Sequence, residues 1–176
     1  MTASEFSRPR RLDTLGEGAV SVRIEANDAE RVALARRFGL LSLDRLSADY
    51  TLRSAAGGIV ASGTVSAAVV QPCIATGGPV RGTIDEPFDI RFLPDPGKDA
   101  AGEHELDPGD LDTMFYEGSA IDLGEAAAET LGLALAPYPR SPEAEAALRA
   151  AGVKNEDEAK PAGALAGLKD LLAPKS

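Results

Sequence analysis

The chain has 176 residues, a formal net charge of −10, 44% hydrophobic residues and 26% charged residues. This composition is typical of a globular protein with one core of ordinary size, and it argues against an intrinsically disordered chain. The sequence has no apolar run near the roughly 20 residues that cross a bilayer, and no signal-peptide pattern at its start. One cysteine and one histidine are too few for an internal disulfide or for a metal site of thiolates and imidazoles. We therefore expect a cytoplasmic protein that holds no metal or cofactor.

The first half of the chain is predicted to be mainly β-structure. Val20, Val22 and Ile24 alternate with polar residues, which is the period of a half-buried strand. The pair Gly57-Gly58 permits a tight turn, so the residues on either side of it are predicted to form a long β-hairpin. Proline and glycine then interrupt the pattern, and two shorter runs follow. The predicted strands are residues 20–25, 40–54, 59–71, 80–84 and 88–92.

Capping patterns predict two main helices. Asn27 and Glu30 have the spacing of a capping box and precede the helix-forming residues 28–38. Asp122 and Glu125 repeat that spacing ahead of residues 123–135, and the prolines that follow end the helix. Two shorter helical segments are predicted at residues 142–151 and 165–172.

These elements predict an α+β domain, in which a curved antiparallel β-sheet or a partly closed barrel is flanked by the two main helices. We assign residues 1–140 to this single domain. Residues of about 94–112 within it are predicted to form a flexible acidic loop, because they combine proline and glycine with many carboxylates. Residues 141–176 are predicted to be an accessory tail, helical or disordered.

The net charge lies in the second half of the chain. Residues 1–93 carry 11 basic and 11 acidic side chains, whereas residues 94–176 carry 7 basic and 17 acidic ones. Such a field repels phosphate backbones and attracts basic proteins. The alternative is that the acidic run is a solvated loop that only aids solubility.

Two segments of the chain resemble the YceD family. The first is Tyr116-Glu117-Gly118-Ser119-Ala120-Ile121-Asp122-Leu123, continued by Glu125, Glu129 and Pro137-Tyr138-Pro139-Arg140. The second is Gln71-Pro72-Cys73-Ile74-Ala75-Thr76, and Phe6-Ser7-Arg8 with Glu30-Arg31 fits the proteobacterial branch of the family. The resemblance covers residues 5–140 and implies a factor tied to the accumulation of large-subunit ribosomal RNA. Many relatives carry further cysteines, whereas Cys73 stands alone here, so a shared metal or redox role does not carry over.

The resemblance supplies the first set of candidate interaction residues. They are Gln71, Cys73, Thr76, Tyr116, Gly118, Asp122, Leu123, Glu125 and Glu129. Asp122, Glu125 and Glu129 are candidates for paired general acid and base carboxylates, because residues four apart on a helix share a face. The alternative is that Asp122 and Glu125 cap the helix, which leaves Glu129 free to bind a partner.

Cys73 and Tyr116 each have two interpretations. A nucleophilic Cys73 needs a base, for which the sequence offers only His104 in the acidic loop, and the alternative is a small buried hydrophobe. Tyr116 either packs over the edge of the sheet or faces a partner.

The second candidate site is an RNA-contact patch of arginines. Its members are Arg8, Arg10, Arg11, Arg31, Arg36 and Arg37, which form one patch if the N-terminal arm lies beside the first helix. The alternative is that Arg36 and Arg37 only stabilise the end of that helix, while the other three lie in a loose terminus.

From these observations we expect a non-enzymatic factor in ribosome biogenesis, which promotes accumulation of large-subunit ribosomal RNA. It is predicted to bind a ribosomal protein or an assembly factor, and through it, or through the arginine patch, ribosomal RNA. We expect no membrane partner and no small-molecule substrate. The alternatives are a general acidic chaperone-like binding module and an uncharacterised enzyme, although the residues complete no nucleophile, metal or cofactor set.

Overall fold

In the computed structural model, the described residues are 4–16, 18–55, 57–95 and 112–153. They contain both strands and helices, so the predicted α+β class is confirmed. Most of the predicted acidic loop, His104 within it and the predicted helix at 165–172 lie outside the described residues.

The main feature of the fold is an open, mixed sheet of five strands in the order β2-β3-β4-β5-β6. Its strands are β2 (Val20–Glu25), β3 (Ser42–Ala55), β4 (Gly58–Pro72), β5 (Pro79–Pro94) and β6 (Asp112–Tyr116). Three of the four pairings are antiparallel, but β5 and β6 are parallel. The prediction of a purely antiparallel sheet was therefore wrong at this edge. The predicted barrel closure is also wrong, because the described strands β2 and β6 lie at opposite edges and do not pair.

The predicted hairpin is confirmed as β3 and β4, which are joined through Gly57 with a φ of 84°. The two runs predicted after it form one continuous strand, β5. The gap between the two predicted runs, residues 85–87, contains Pro87, which lacks the N–H that a central strand needs. Since β6 pairs only with residues 90–94 of β5, Pro87 lies where β5 has a single neighbour, and an edge position tolerates proline.

Three helices are described, namely α1 (Asp28–Arg37), α2 (Leu123–Ala134) and α3 (Ala144–Ala150). The capping box predicted for α1 is present, with Asn27 and Glu30 each accepting a hydrogen bond from the other's backbone N–H. Helices α1 and α2 cover one face of the sheet, and the core lies between them and the sheet. The largest fully buried side chains are Phe6, Phe92, Leu34, Leu46, Leu52, Ile121, Leu123, Leu131 and Val65.

The N-terminal arm, residues 4–11, is part of the folded structure. Phe6 is fully buried, and a short strand β1 (Pro9–Arg11) pairs antiparallel with β7 (Ala120–Asp122) just before α2. The interpretation of this terminus as loose was therefore wrong. A three-residue strand leaves no alternation to detect in the sequence, and its partner lies more than a hundred residues away.

Candidate functional site

Asp122, at the junction of β7 and α2, joins the candidate motif to the N-terminal arm. Its carboxylate caps α2 by accepting from the backbone N–H of Gly124 at 2.9 Å and of Glu125 at 3.2 Å. It also accepts from the backbone N–H of Arg8 at 2.7 Å and from the hydroxyl of Ser7 at 2.6 Å. All four bonds are internal, so Asp122 is a positioning residue that holds the arm against the start of the helix.

Glu125 holds the same arm from the first turn of α2. One carboxylate oxygen pairs with the guanidinium of Arg37 at 2.7 Å, and the other accepts from the hydroxyl of Ser4 at 2.6 Å. The Arg37 partner, followed by the Ser4 hydroxyl, lowers the pKa of Glu125 against the effect of burial. Because these contacts occupy the side chain, α2 is capped by Asp122 alone, and the predicted capping box is only half formed.

Leu123 connects this junction to the sheet. Its carbonyl oxygen accepts a 2.7 Å hydrogen bond from the hydroxyl of Tyr50 on β3, and its N–H donates to the carbonyl of Arg8 at 3.2 Å. The ring of Tyr50 contacts Phe88 across Gly63, with the ring centroids 4.8 Å apart. Burial, with Asp122 nearby, raises the pKa of Tyr50, so the hydroxyl stays protonated and able to donate.

Sequence reasoning missed Tyr50, Gly63 and Gly124 as parts of this junction. A Cβ at Gly124 would overlap the carbonyl oxygen of Phe6, so only glycine lets the arm pass so close to the helix. These three residues lie on two strands and a helix. They become visible only once the strand register is known.

Tyr116 and Gly118 shape the chain just before the junction. Tyr116 ends β6, is half-buried and packs against the core, and its carbonyl accepts from the N–H of Asp95 at 3.0 Å. Gly118, with a φ of 75°, makes the turn from β6 to β7. Both residues have structural roles in this geometry.

The second motif segment, around Cys73, holds the chain that follows α2. The side-chain amide of Gln71 donates to the carbonyl of Ala136 at 2.9 Å, and the N–H of Ile74 donates to that of Pro139 at 3.0 Å. The N–H of Ser141 donates to the Cys73 sulfur at 3.3 Å. Gln71 and Cys73 are therefore brought together with residues 136–141, away from the Asp122 junction.

The thiol of Cys73 has an unusual environment. The backbone N–H of Ser141 and the hydroxyl of Thr76 lower the pKa of Cys73 to about 6, although burial opposes the shift. Thr76 also accepts from the N–H of Gly78 at 3.2 Å, which fixes its side chain. The thiol is 3% exposed, and residues 4–95 and 112–153, within the described ranges, contain no cluster of His, Cys, Asp or Glu that could hold a metal.

Most of the predicted arginine patch is internally paired. The N-terminal arm does lie beside α1, where both terminal nitrogens of Arg8 contact Glu30, at 2.7 and 2.8 Å. Arg37 pairs with Glu125 and Glu5, Arg31 with Asp28, and Arg11 with Asp13. Arg10 and Arg36 have no ion pair within the described part of the chain, and the Nε of Arg10 is buried without a partner.

Comparison with known protein families shows to which family the chain belongs. The profile of the family described as large ribosomal RNA subunit accumulation protein YceD matches residues 61–172. The chain belongs to the YceD family. No curated protein and no solved structure matches the chain. The suspected resemblance is thus confirmed at the level of the family, and membership implies a role in accumulation of large-subunit ribosomal RNA.

The YceD match begins inside β4, so the N-terminal arm, β2, α1 and β3 precede it. Those segments nevertheless supply Arg8, Arg37 and Tyr50, which hold the matched residues Asp122, Leu123 and Glu125. The match also runs into residues 141–172, where the sequence alone offered no resemblance. The description of the YceD family names accumulation and no catalysed reaction.

Glu129 is the one acidic residue of the YceD segment in α2 that faces solvent. Desolvation by its neighbours, followed by the charge of Glu125, raises the pKa of Glu129, and Arg37 acts in the opposite direction. It has no ion pair among the described residues and lines a groove between α2 and β6.

No helix in the described ranges is long and apolar enough to cross a membrane.

Proposed function

We propose that this YceD protein promotes accumulation of large-subunit ribosomal RNA by binding a ribosomal protein or an assembly factor, without catalysing a reaction. The observation that carries the proposal is the family match over residues 61–172. We place this activity in the cytoplasm, because a factor for ribosome assembly acts where ribosomes are assembled. The acidic second half of the chain is the proposed surface for a basic partner.

The geometry of the motif supports binding in preference to catalysis. Asp122 accepts four internal hydrogen bonds, and Glu125 is occupied by Arg37 and Ser4. An acid and base pair on α2 would need both carboxylates to reach a substrate, and only Glu129 is free to do so. We therefore assign Glu129 to partner binding and the other motif residues to positioning.

Direct RNA contact is proposed only for Arg10 and Arg36. Carboxylates within the chain neutralise Arg8, Arg11, Arg31 and Arg37, which weakens the attraction of the patch for phosphate. A binding factor whose main contact is a basic protein needs no larger RNA surface.

The test is recovery of the tagged full chain from cell lysate, with and without ribonuclease and over a range of salt concentrations. We expect large-subunit proteins to be recovered, with a salt sensitivity that reflects charge pairing. Depletion of the protein should lower the ratio of large- to small-subunit ribosomal RNA, and the wild-type chain should restore it. Glu129→Gln should restore it incompletely, whereas Asp89→Asn, at an exposed carboxylate on β5, should restore it fully.

Other outcomes assign another function. Recovery of one basic protein that does not move with ribosomal particles would indicate an acidic chaperone-like module. Turnover of a substrate by the purified chain would indicate an enzyme. Recovery of neither ribosomal proteins nor RNA would remove the proposal.

A further inference from the structure

Leu133, near the end of α2, exposes an apolar surface beside the YceD motif. It is 84% exposed, the largest fraction for any large hydrophobic residue in the described ranges. It lines a groove of about 210 Å³ between α2 and β6, whose floor is formed by the half-buried Met114 over the buried Ile90 and Ala126, and whose other lining residues are polar. A groove with an exposed leucine beside a small apolar floor is a candidate docking surface.

Carboxylates form the rim of this groove. Glu129 lies one helical turn before Leu133, so both side chains lie on the same side of α2. Asp112, at the start of β6, lies on the opposite wall. Neither has an ion pair within the described part of the chain, and Arg37, the cation whose charge acts on Glu129, is already paired with Glu125 and Glu5.

Among its described lining residues the groove has two carboxylates, Asp112 and Glu129, and no cation. A negative rim around an apolar floor is complementary to an apolar side chain flanked by cations.

We infer that this groove binds a peptide segment of a basic protein, in which an apolar side chain is flanked by lysine or arginine. The inference rests on the proposed function and names the binding site for its partner. The apolar anchor contacts Leu133 and Met114. The side chain of Met114 is unbranched, so it adapts to different anchors. The flanking cations pair with Glu129 and Asp112.

RNA fits the groove less well than a peptide does. The carboxylates repel phosphate, and the described lining contains no aromatic side chain on which a base could stack. A peptide satisfies both the apolar floor and the charged rim.

The test measures binding of three synthetic, fluorescently labelled peptides of equal length to the purified full chain. One peptide combines leucine with lysine, the second leucine with glutamate, and the third serine with lysine. We expect only the leucine and lysine peptide to bind, with an affinity that falls as salt is added. Leu133→Ser should weaken this binding about tenfold because it removes a buried apolar contact, and Glu129→Lys should weaken it about fivefold or more.

Matched controls are Leu41→Ser, at an exposed leucine outside the groove, and Asp89→Lys, at an exposed carboxylate on β5. Both should bind the peptide as the wild type does, and all variants should unfold cooperatively near the wild-type temperature. Equal binding of the leucine and glutamate peptide, or unchanged affinity in Leu133→Ser, would overturn the inference. So would binding of a single-stranded RNA that Leu133→Ser abolishes.

A second copy of the chain is another possible occupant with its own signature. A dimer that Leu133→Ser dissociates in sedimentation would assign the groove to that second copy and would overturn the inference.

Recovery from lysate separates this inference from the proposed function. If Leu133→Ser recovers large-subunit proteins as well as the wild type does, the groove is excluded and the proposed function stands. If the wild-type chain recovers none, the proposed function fails and the partner assigned to the groove fails with it.

Discussion

The hydroxyl of Tyr50, in the middle of the sheet, donates a 2.7 Å hydrogen bond to the carbonyl oxygen of Leu123 in the first turn of α2. This bond crosses the core and joins the part of the chain that precedes the family match to the motif within it. It also lies next to the contacts that hold the N-terminal arm. The junction of β7 and α2 is therefore fixed from two sides, by the sheet and by the arm.

Tyr50→Phe should lower the free energy of unfolding by about 1 kcal/mol, because it removes a buried hydrogen bond and keeps the ring. Phe88→Leu removes the ring contact with Tyr50 and keeps the bond. Urea denaturation of the two variants compares these contributions. An unchanged midpoint in Tyr50→Phe would show that the bond contributes nothing to stability.

Gly124→Ala should destabilise the fold by about 1–3 kcal/mol, as overpacking does, although alanine is the better helix former. The new methyl group would overlap the backbone carbonyl of Phe6, which cannot move without displacing the arm. Gly132→Ala is the matched control in the same helix, since its methyl group meets only the ring edge of Phe38. Limited proteolysis should cut the arm faster in Gly124→Ala than in Gly132→Ala, and equal rates would contradict this geometry.

Acid should destabilise the protein through Glu30 and Glu125. Arg8 lowers the pKa of Glu30, and Arg37 lowers that of Glu125, both from an ordinary value of 4.5. A carboxylate with a depressed folded-state pKa stabilises the fold fully above its unfolded-state pKa, and this stabilisation is lost as pH falls through the folded-state value. Stability should therefore fall below about pH 4.5.

The double variant Glu30→Gln with Glu125→Gln should be less stable at neutral pH and should lose less on acidification. Thermal unfolding from pH 7 down to pH 3 measures both effects, and Asp89→Asn is the control at an exposed carboxylate. An acid dependence equal to that of the wild type in the double variant would assign the effect to other groups.

The titration of Cys73 should have its midpoint near pH 6 in the folded protein, because the N–H of Ser141 and the hydroxyl of Thr76 stabilise the thiolate. Because the folded-state pKa of Cys73 is depressed, the contribution of Cys73 to the free energy of unfolding grows as pH rises from about 6 toward the unfolded-state pKa. Since Cys73 is the only cysteine, ultraviolet absorbance of the thiolate reports it directly. Thr76→Val should move the midpoint upward, and a midpoint near that of a free thiol in the wild type would contradict the geometry.

Local patterns were sufficient to predict part of the fold. The alternation at Val20, Val22 and Ile24, the turn at Gly57 and the capping box of Asn27 are all encoded within a few residues, and each matches the structure. The parallel pairing of β5 with β6 depends on which strands become neighbours in the sheet, and no local sequence pattern shows this. The two runs on either side of Pro87 were predicted as separate strands, because the position of Pro87 at a free edge depends on that same pairing.

The candidate site could be predicted less well than the fold. The contacts of the motif residues depend on partners far away in sequence, such as Arg37 for Glu125 and Ser141 for Cys73. The arginines illustrate the same limit. Four of the six clustered arginines form ion pairs in the fold, with Glu30, Asp13, Asp28 and Glu125.

The long sequence separation between the arm and α2 has a consequence for biosynthesis. Arg8 leaves the translating ribosome 114 residues before Asp122, and Ser4 leaves 121 residues before Glu125. The nascent chain must therefore carry Phe6 uncovered until the junction of β7 and α2 has been made. Closure of the fold at this junction follows the synthesis of α2, and the docking of the arm completes it.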